Sequence, residues 1–403
     1  MFEIIIYILL ILSLIYGFYF LIMASGVFRK KKCEIDNNKK NHFAILIAAR
    51  NEETVIKNLI NSLKKQNYPS NKYDVYVIVN NCTDNTLEVA KNAGAKIIEC
   101  KQKVKSKGEV LKYTFNKLKS NDEIDAYVIF DADNVVHREF LNKMNDSINC
   151  GYEVVQGFRD TKNICDNWLS TSYAILYYLQ SLFINKSRFN FGMSSFLNGT
   201  GFMVKKETID RYGYDPKTIT EDIEYTAICA INGIKIAFNE NAITYDEQVT
   251  DFKSSLKQRK RWSFGTIQCL KNYTGSLIKE GIKNKRFECF DVIIFYFDII
   301  FHVLFTIVSL IGIFYNVFYL NDFNSMDVVI YFIMFLINYF IGVVFRMIVI
   351  KKCNKSIKEN IWGILLFDLF VLSWFPINFI CLFIKDCNWD HIKHDRNVDT
   401  LNI

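Results

Sequence analysis

Apolar positions follow two different patterns along this chain. From Met1 to Met23 they run almost unbroken, with Glu3 as the one charge. Similar runs recur over about Val292–Leu320 and Val328–Ile350, and over Ile361–Ile384, where Asp368 and Pro376 interrupt the run. At about 1.5 Å per residue, a helix of some twenty residues crosses a hydrocarbon core of about 30 Å. Between roughly residues 40 and 285 the pattern changes to short apolar runs separated by amphipathic stretches. Phe43–Ala49, Tyr73–Val79, Ala95–Glu99 and Ala126–Phe130 read as strands. Thr54–Lys65 places Val55, Ile56, Leu59, Ile60 and Leu63 on one helical face. Thr83-Asp84 can cap a helix to about Ala93, and Gly108–Leu118 reads as another. Strands alternating with helices predict an α/β domain with a largely parallel sheet, and such sheets bind ligands at the carboxyl ends of their strands.

The flanks set the expected topology. The first run reads as a retained anchor. It is too long for a secretory signal, lacks a basic start, and is followed by Arg29-Lys30-Lys31-Lys32 with no clear small-residue cleavage site. Basic clusters stay cytoplasmic, which puts the polar block on that side. The loop Asn321–Asp327 has no basic residue, whereas Lys351, Lys352, Lys355 and Lys358 mark a cytoplasmic loop. A full last crossing would put Lys393, His394 and Arg396 outside, so a re-entrant or interfacial last segment is expected. Trp168–Phe191 is too polar to span and reads either as a helix at the lipid headgroups or as a core helix. Phe252–Lys279 reads as helical and membrane-adjacent. The expected organisation is an anchor at 1–25, a cytoplasmic catalytic domain at 40–250, interfacial helices at 251–288, a membrane region at 290–385 and a tail at 386–403. The net charge of +7 is explained by lysines near membrane boundaries, and no nucleic-acid motif accompanies it. Eleven cysteines lie scattered with no CxxC pair, as expected of reduced cytosolic thiols.

Three polar clusters carry candidate chemistry. Asp131-Ala132-Asp133 directly follows a strand; two hard carboxylates there suit Mg²⁺ or Mn²⁺ shared with substrate phosphates, although such pairs also occur in plain solvated loops. Thr220-Glu221-Asp222 opens a helical stretch. It reads as a helix cap with acidic first-turn residues, or with Asp222 as a general base kept ionised by the helix end. In Gln258-Arg259-Lys260-Arg261-Trp262, Gln258 and Trp262 share a helical face. That run is either a solvated basic stretch or a set in which Arg261 binds a diphosphate, Trp262 stacks on a sugar and Gln258 fixes a hydroxyl. Lys107-Gly108, opening a helix, adds a phosphate contact.

Together and in this order, these clusters resemble a membrane-embedded family 2 glycosyltransferase with a GT-A fold, of the branch containing cellulose, chitin, hyaluronan and poly-N-acetylglucosamine synthases. The motifs lie between Ala44 and Trp262. The segment Ala48-Ala49-Arg50-Asn51-Glu52-Glu53 resembles the opening donor-site strand end, implicating Ala49 and Glu52. Asn80-Asn81-Cys82-Thr83-Asp84-Asn85-Thr86 resembles the next donor segment, and Lys105-Ser106-Lys107-Gly108 a basic donor-site turn. Asp131 and Asp133 match the metal motif, with Asp133 the direct ligand. Asn198-Gly199-Thr200-Gly201 resembles a glycine-rich stretch beside the acceptor, implicating Gly199, Thr200 and Gly201. Asp222, next to Glu221, matches the catalytic base, and Gln258, Arg261 and Trp262 match the QxxRW signature of processive members. One departure is Asn80, where the family often has an aspartate reading uracil; an amide still offers a donor and an acceptor. The resemblance implies an inverting displacement from a UDP-sugar onto a growing β-glycan, N-acetylglucosamine favoured, at the plasma membrane. It also leaves room for an accessory membrane subunit. The alternatives are single transfer to a lipid-linked acceptor, or an inactive sugar-binding assembly partner.

Overall fold

The computed structural model describes residues 2–31, 39–318, 325–387 and 396. After helix α1 (Phe2–Ser25), strands β1 (Phe43–Ala49), β2 (Tyr73–Val79), β3 (Lys96–Glu99) and β4 (Ala126–Asp131) alternate with helices α2 (Ile56–Lys64), α3 (Thr86–Asn92) and α4 (Lys107–Leu118). β5 (Val135–Val136), α5 (Phe140–Asn149) and β6 (Val154–Thr161) follow. Next comes a long helical segment: α6 (Trp168–Leu179), a π-helical stretch Gln180–Lys186, and α7 (Ser187–Asn190). β7 (Phe202–Lys205), α8 (Lys206–Tyr212), α9 (Glu221–Asn232) and β8 (Ile236–Asp246) complete the α/β domain. The remaining helices are α10 (Phe252–Lys283), α11 (Phe287–Phe318), α12 (Ser325–Lys352), α13 (Ile361–Leu372) and α14 (Trp374–Cys381).

The sheet order is β3-β2-β1-β4-β7-β6-β8-β5. The half predicted from sequence, β3 to β4, is parallel. β7 runs antiparallel to both β4 and β6, so the sheet is mixed. The loop before β7 crosses the carboxyl end of β4, where Gly201 N–H donates to Ile129 O at 2.9 Å, and the chain can only run back from there. β1 is buried on both faces, which explains its unbroken apolar run. Phe43, Ile45, Ile47 and Ala49 join the core under α2 and α5, whereas Ala44 and Leu46 join the core under α4 and α9.

Among the described residues, four helical stretches are long and apolar enough to cross a membrane: Tyr7–Phe28, Phe287–Gly312, Val328–Lys352 and Ile361–Cys381. The last is broken at Ser373 between α13 and α14. Pro376 accounts for the break, having no N–H for the carbonyl of Leu372. Asp368 there meets Arg346 at 2.9 Å. The segment Trp168–Phe191 is a core helix, since Leu169, Tyr173, Ile175 and Tyr178 are fully buried and pack with Ile364 and Phe370 of α13. A buried ion pair, Arg188–Asp291, ties α7 to α11 through contacts of 2.8 and 3.0 Å. Cys150 is disulfide-bonded, so the expectation of uniformly reduced thiols does not hold at that position. The tail residues 388–395, with His394, lie outside the described residues; the Arg396 N–H donates to the Glu247 carboxylate at 3.2 Å.

Candidate active site

The acidic turn after β4 is held from behind. The Asp131 N–H is shared between Asn134 Oδ1 at 3.1 Å and Thr200 Oγ1 at 3.0 Å. Thr200 donates its hydroxyl to the same Asn134 oxygen. Asn134 Nδ2 in turn donates to Asp246 Oδ1 at 3.1 Å, and the Glu247 N–H to Asp133 Oδ2 at 3.1 Å. Thr200 and Gly201 thus act on the backbone behind the site. Gly201 sits at φ +61°, where an added Cβ would lie 2.8 Å from Thr244. Asp131 and Asp133 present hard oxygens to one space, as a divalent cation requires. Among the described residues no cluster of three ligating side chains surrounds them. The two carboxylates therefore fit an ion that takes further oxygens from its substrate.

Lys107 opens α4 and reaches into the same space. Its Nζ donates to Asp131 Oδ1 at 2.5 Å and to Gly199 O at 2.7 Å, and lies 3.9 Å from Glu221 Oε1. Burial disfavours its charge, yet Asp131 and Glu221 outweigh this and raise its pKa above the usual lysine value. Gly108 is required for this approach, because a Cβ there would lie 2.8 Å from Pro216 and 2.9 Å from Glu221.

Glu221 and Asp222 form the first turn of α9. Burial pushes the Glu221 carboxyl up to about 7, against Lys107, with Asp222 adding to the rise. Burial also raises Asp222 above the usual carboxylate range, opposed by the Ile223 N–H, Lys107 and Arg261. The helix end acts on Asp222 in the predicted direction, but burial outweighs it. Two adjacent carboxyls titrate as a unit, and Asp222, with the N–H and Arg261 acting on it, is the member we assign the charge. Gly199, at φ +90°, leaves room for it: a Cβ there would lie 3.3 Å from Asp222 Oδ2.

The QxxRW residues lie on the 32-residue helix α10. Gln258, Arg261 and Trp262 are half-buried and line the site. Arg259 points the opposite way and is fully buried. It donates to Phe370 O at 3.0 Å and Ser373 Oγ at 2.8 Å, and its guanidinium lies 4.6 Å from the Phe370 ring and 5.2 Å from that of Trp374. The basic run is therefore not a uniformly solvated face. α10 approaches α9 through Gly265, where a Cβ would meet Thr220 Oγ1 at 2.2 Å.

One cavity of about 530 Å³ connects these groups. Among the predicted site residues Glu52, Lys107, Asp131, Asp133, Gly199, Glu221, Asp222, Gln258, Arg261 and Trp262 line it. Ala49, Asn80, Thr200 and Gly201 do not. Ala49 packs into the core, and the flanking Ala48 and Arg50 face the cavity, as strand alternation requires. Asn80 is buried, its amide donating to Cys100 O at 3.1 Å and Gln102 O at 3.5 Å. Arg159, Glu247 and Gln248, which stand in none of the sequence motifs, and Asn198, the first residue of the glycine-rich stretch, also line the cavity. Arg159 pairs with Asp246, donates to Asn198 O at 2.7 Å and lies 3.9 Å from the Tyr177 ring. Burial pushes the Asp246 carboxyl up to about 7 despite Arg159. The far wall comes from the apolar helices, through Phe295, Asp298 and Ile299 of α11 and Trp374 and Asn378 of α14.

Comparison with known proteins bears on the family and the fold. The family described as "Glycosyltransferase like family 2" matches residues 40–265, more than half of the chain. The chain is 23% identical over 375 residues to the probable glycosyltransferase YdaM of Bacillus subtilis, covering 87% of this chain and 83% of that protein. It is 24% identical over 233 residues to a beta-monoglucosyldiacylglycerol synthase of Synechocystis, covering 57% of this chain and about half (48%) of that relative. In structure it resembles the mannosyltransferase PcManGT of Pyrobaculum calidifontis, solved with GDP-Man and Mn²⁺, with a TM-score of 0.63 at 12% identity, covering 96% of this chain and 100% of that one. The chain belongs to the family 2 glycosyltransferases and is a glycosyltransferase with a GT-A fold.

Proposed function

We propose that this enzyme transfers a sugar from a UDP-sugar to an acceptor hydroxyl with inversion, Asp222 being the base. The observation that carries this reading is that Asp222 and the Asp131/Asp133 pair line one cavity, with Lys107 reaching from the second group toward the first. Asp131 and Asp133 would hold Mg²⁺ or Mn²⁺, which when bound supplies charge neutralisation for the leaving diphosphate. Lys107 and Arg261 supply cationic hydrogen-bond donors to the same leaving group. Asp222 takes the proton of the incoming hydroxyl, and its raised pKa suits that task near neutral pH.

The acceptor we propose is a growing β-glycan, with UDP-N-acetylglucosamine the first donor to test. Trp262 and Trp374, ring centroids 6.3 Å apart and both on the wall, offer flat surfaces to a saccharide. A second reading, single transfer to a lipid acceptor, draws on the apolar side chains Ile184, Phe295, Ile299 and Val371 along the membrane-helix side of the cavity. Product length separates them, because a ladder of long products excludes single transfer. The basic residues after α1 and after α12 support a cytoplasmic catalytic domain on a multi-pass plasma-membrane protein. In the Asp222→Asn variant we expect transfer to fall about 100-fold to 10,000-fold, the worth of a general base, with nucleotide binding retained. Full activity in that variant would falsify the assignment.

A further inference from the structure

Two buried amides on the cavity wall have no task within the protein. Asn198 is 7% exposed and Gln248 5% exposed, and both line the cavity. Among the described residues, both polar atoms of the Asn198 side chain, and Nε2 of Gln248, have no hydrogen-bond partner. Buried amides are nearly always paired, so an unpaired one facing a cavity calls for a ligand.

Their backbones are held in place by hydrogen bonds. The Asn198 N–H donates to Gln156 Oε1 at 3.1 Å, and its carbonyl accepts from Arg159 at 2.7 Å. The Gln248 N–H donates to Asn163 Oδ1 at 2.8 Å, and its carbonyl accepts from Asn163 Nδ2 at 2.9 Å. Asn198 adjoins Gly199, beside the Asp222 carboxylate. Gln248 adjoins Glu247, whose N–H holds Asp133. The pair therefore brackets the span between the acidic turn and the base. A sugar in transit must lie there, with its diphosphate at the first and the incoming hydroxyl at the second.

We propose that Asn198 and Gln248 read the hydroxyl or acetamido groups of the transferred sugar, and that they select an uncharged hexose or N-acetylhexosamine over a uronate. Amides offer a donor and an acceptor side by side, matching adjacent hydroxyls. Arg159, the cation that touches this pair through the Asn198 carbonyl, is already paired with Asp246 and is not open to a sugar carboxylate. This assignment rests on the catalytic reading above for the direction from leaving group to base.

Equilibrium binding on the full-length protein with Mn²⁺ tests it. The probes are UDP, UDP-glucose, UDP-N-acetylglucosamine and UDP-glucuronate, with GDP and GDP-mannose as a second nucleotide series. The variants are Asn198→Leu and Gln248→Met, close in shape and unable to form the bonds. Each should weaken binding of the uncharged nucleotide sugar about tenfold, the worth of one or two hydrogen bonds. Affinity for the bare nucleotide should change by less than about twofold on the same reasoning. Neither variant should lower the melting temperature, because among the described residues neither removes a side-chain hydrogen bond. The proposal is overturned by unchanged sugar-nucleotide affinity, by an equal loss for bare nucleotide, by a lower melting temperature accompanying both losses, or by wild-type binding of UDP-glucuronate as tight as that of UDP-glucose. Binding needs no turnover, so an active Asp222→Asn enzyme would sink the base while leaving this result standing.

Discussion

Asn134 is the most informative residue to remove, because it holds the acidic turn without facing the cavity. It is 1% exposed. Its oxygen receives the Asp131 N–H and the Thr200 hydroxyl, and its nitrogen serves Asp246. Asn134→Leu keeps the approximate volume and deletes all three bonds. The Asp131 N–H retains Thr200 Oγ1, and the Asp246 carboxylate retains Arg159 at Oδ2 while losing its donor at Oδ1. The Thr200 hydroxyl loses the acceptor it donates to. Burying one orphaned group costs about 1–3 kcal/mol, and each of the other two bonds contributes roughly 0.5–1.5 kcal/mol, more where a charge is involved. The sum is about 2–6 kcal/mol, which for a domain of this size lowers the melting temperature by about 4 °C or more. Thermal unfolding of the detergent-solubilised protein measures this, and a Mn²⁺ titration of transfer measures the loosened turn. We expect the half-saturating Mn²⁺ concentration to rise. A melting temperature within a degree of wild type, with unchanged Mn²⁺ dependence, refutes the reasoning.

Two further predictions follow from the same geometry. Asp222 must be deprotonated to act, and burial raises its pKa, so activity should fall with decreasing pH at values above the ordinary carboxylate range near about 4. Arg261 opposes that rise, so Arg261→Gln should move the acid limb of kcat/KM to still higher pH; a shift toward lower pH would contradict the assignment. Gly265→Ala should push α10 off the start of α9, with an overpacking cost of about 1–3 kcal/mol and a fall in transfer, and Thr220→Gly should partly restore both. Wild-type stability and activity in the alanine variant would show that the contact relaxes without consequence.

How much could be read in advance depended on whether a position carried a periodic or clustered signal. β1, β2 and β4 were legible because strands buried on both faces are continuous apolar runs. The reversal at β7 was not, since a four-residue strand after a glycine-rich loop has no period long enough to reveal its direction. Asp131, Asp133, Asp222 and Arg261 stood out by charge beside apolar sequence. Arg159 and Gln248 are single polar residues with no local signal to distinguish them, whereas Asn198 is marked only as the first residue of a glycine-rich stretch. Ala48 and Arg50, rather than Ala49, face the cavity by the two-residue period of a strand, a signal that was present and outweighed by motif position.

Helix α10 has two working faces. One carries Gln258, Arg261 and Trp262 to the cavity, and the other seats Arg259 between α13 and α14. Phe295, Ile299, Trp374 and Asn378 then close the side of the cavity that the α/β domain leaves open. The catalytic domain is therefore not a detachable module. A chain cut before residue 361 would keep the acidic turn, the base, Phe295 and Ile299, yet lose the Trp374 and Asn378 part of that wall and leave the Arg259 charge without its aromatic seat.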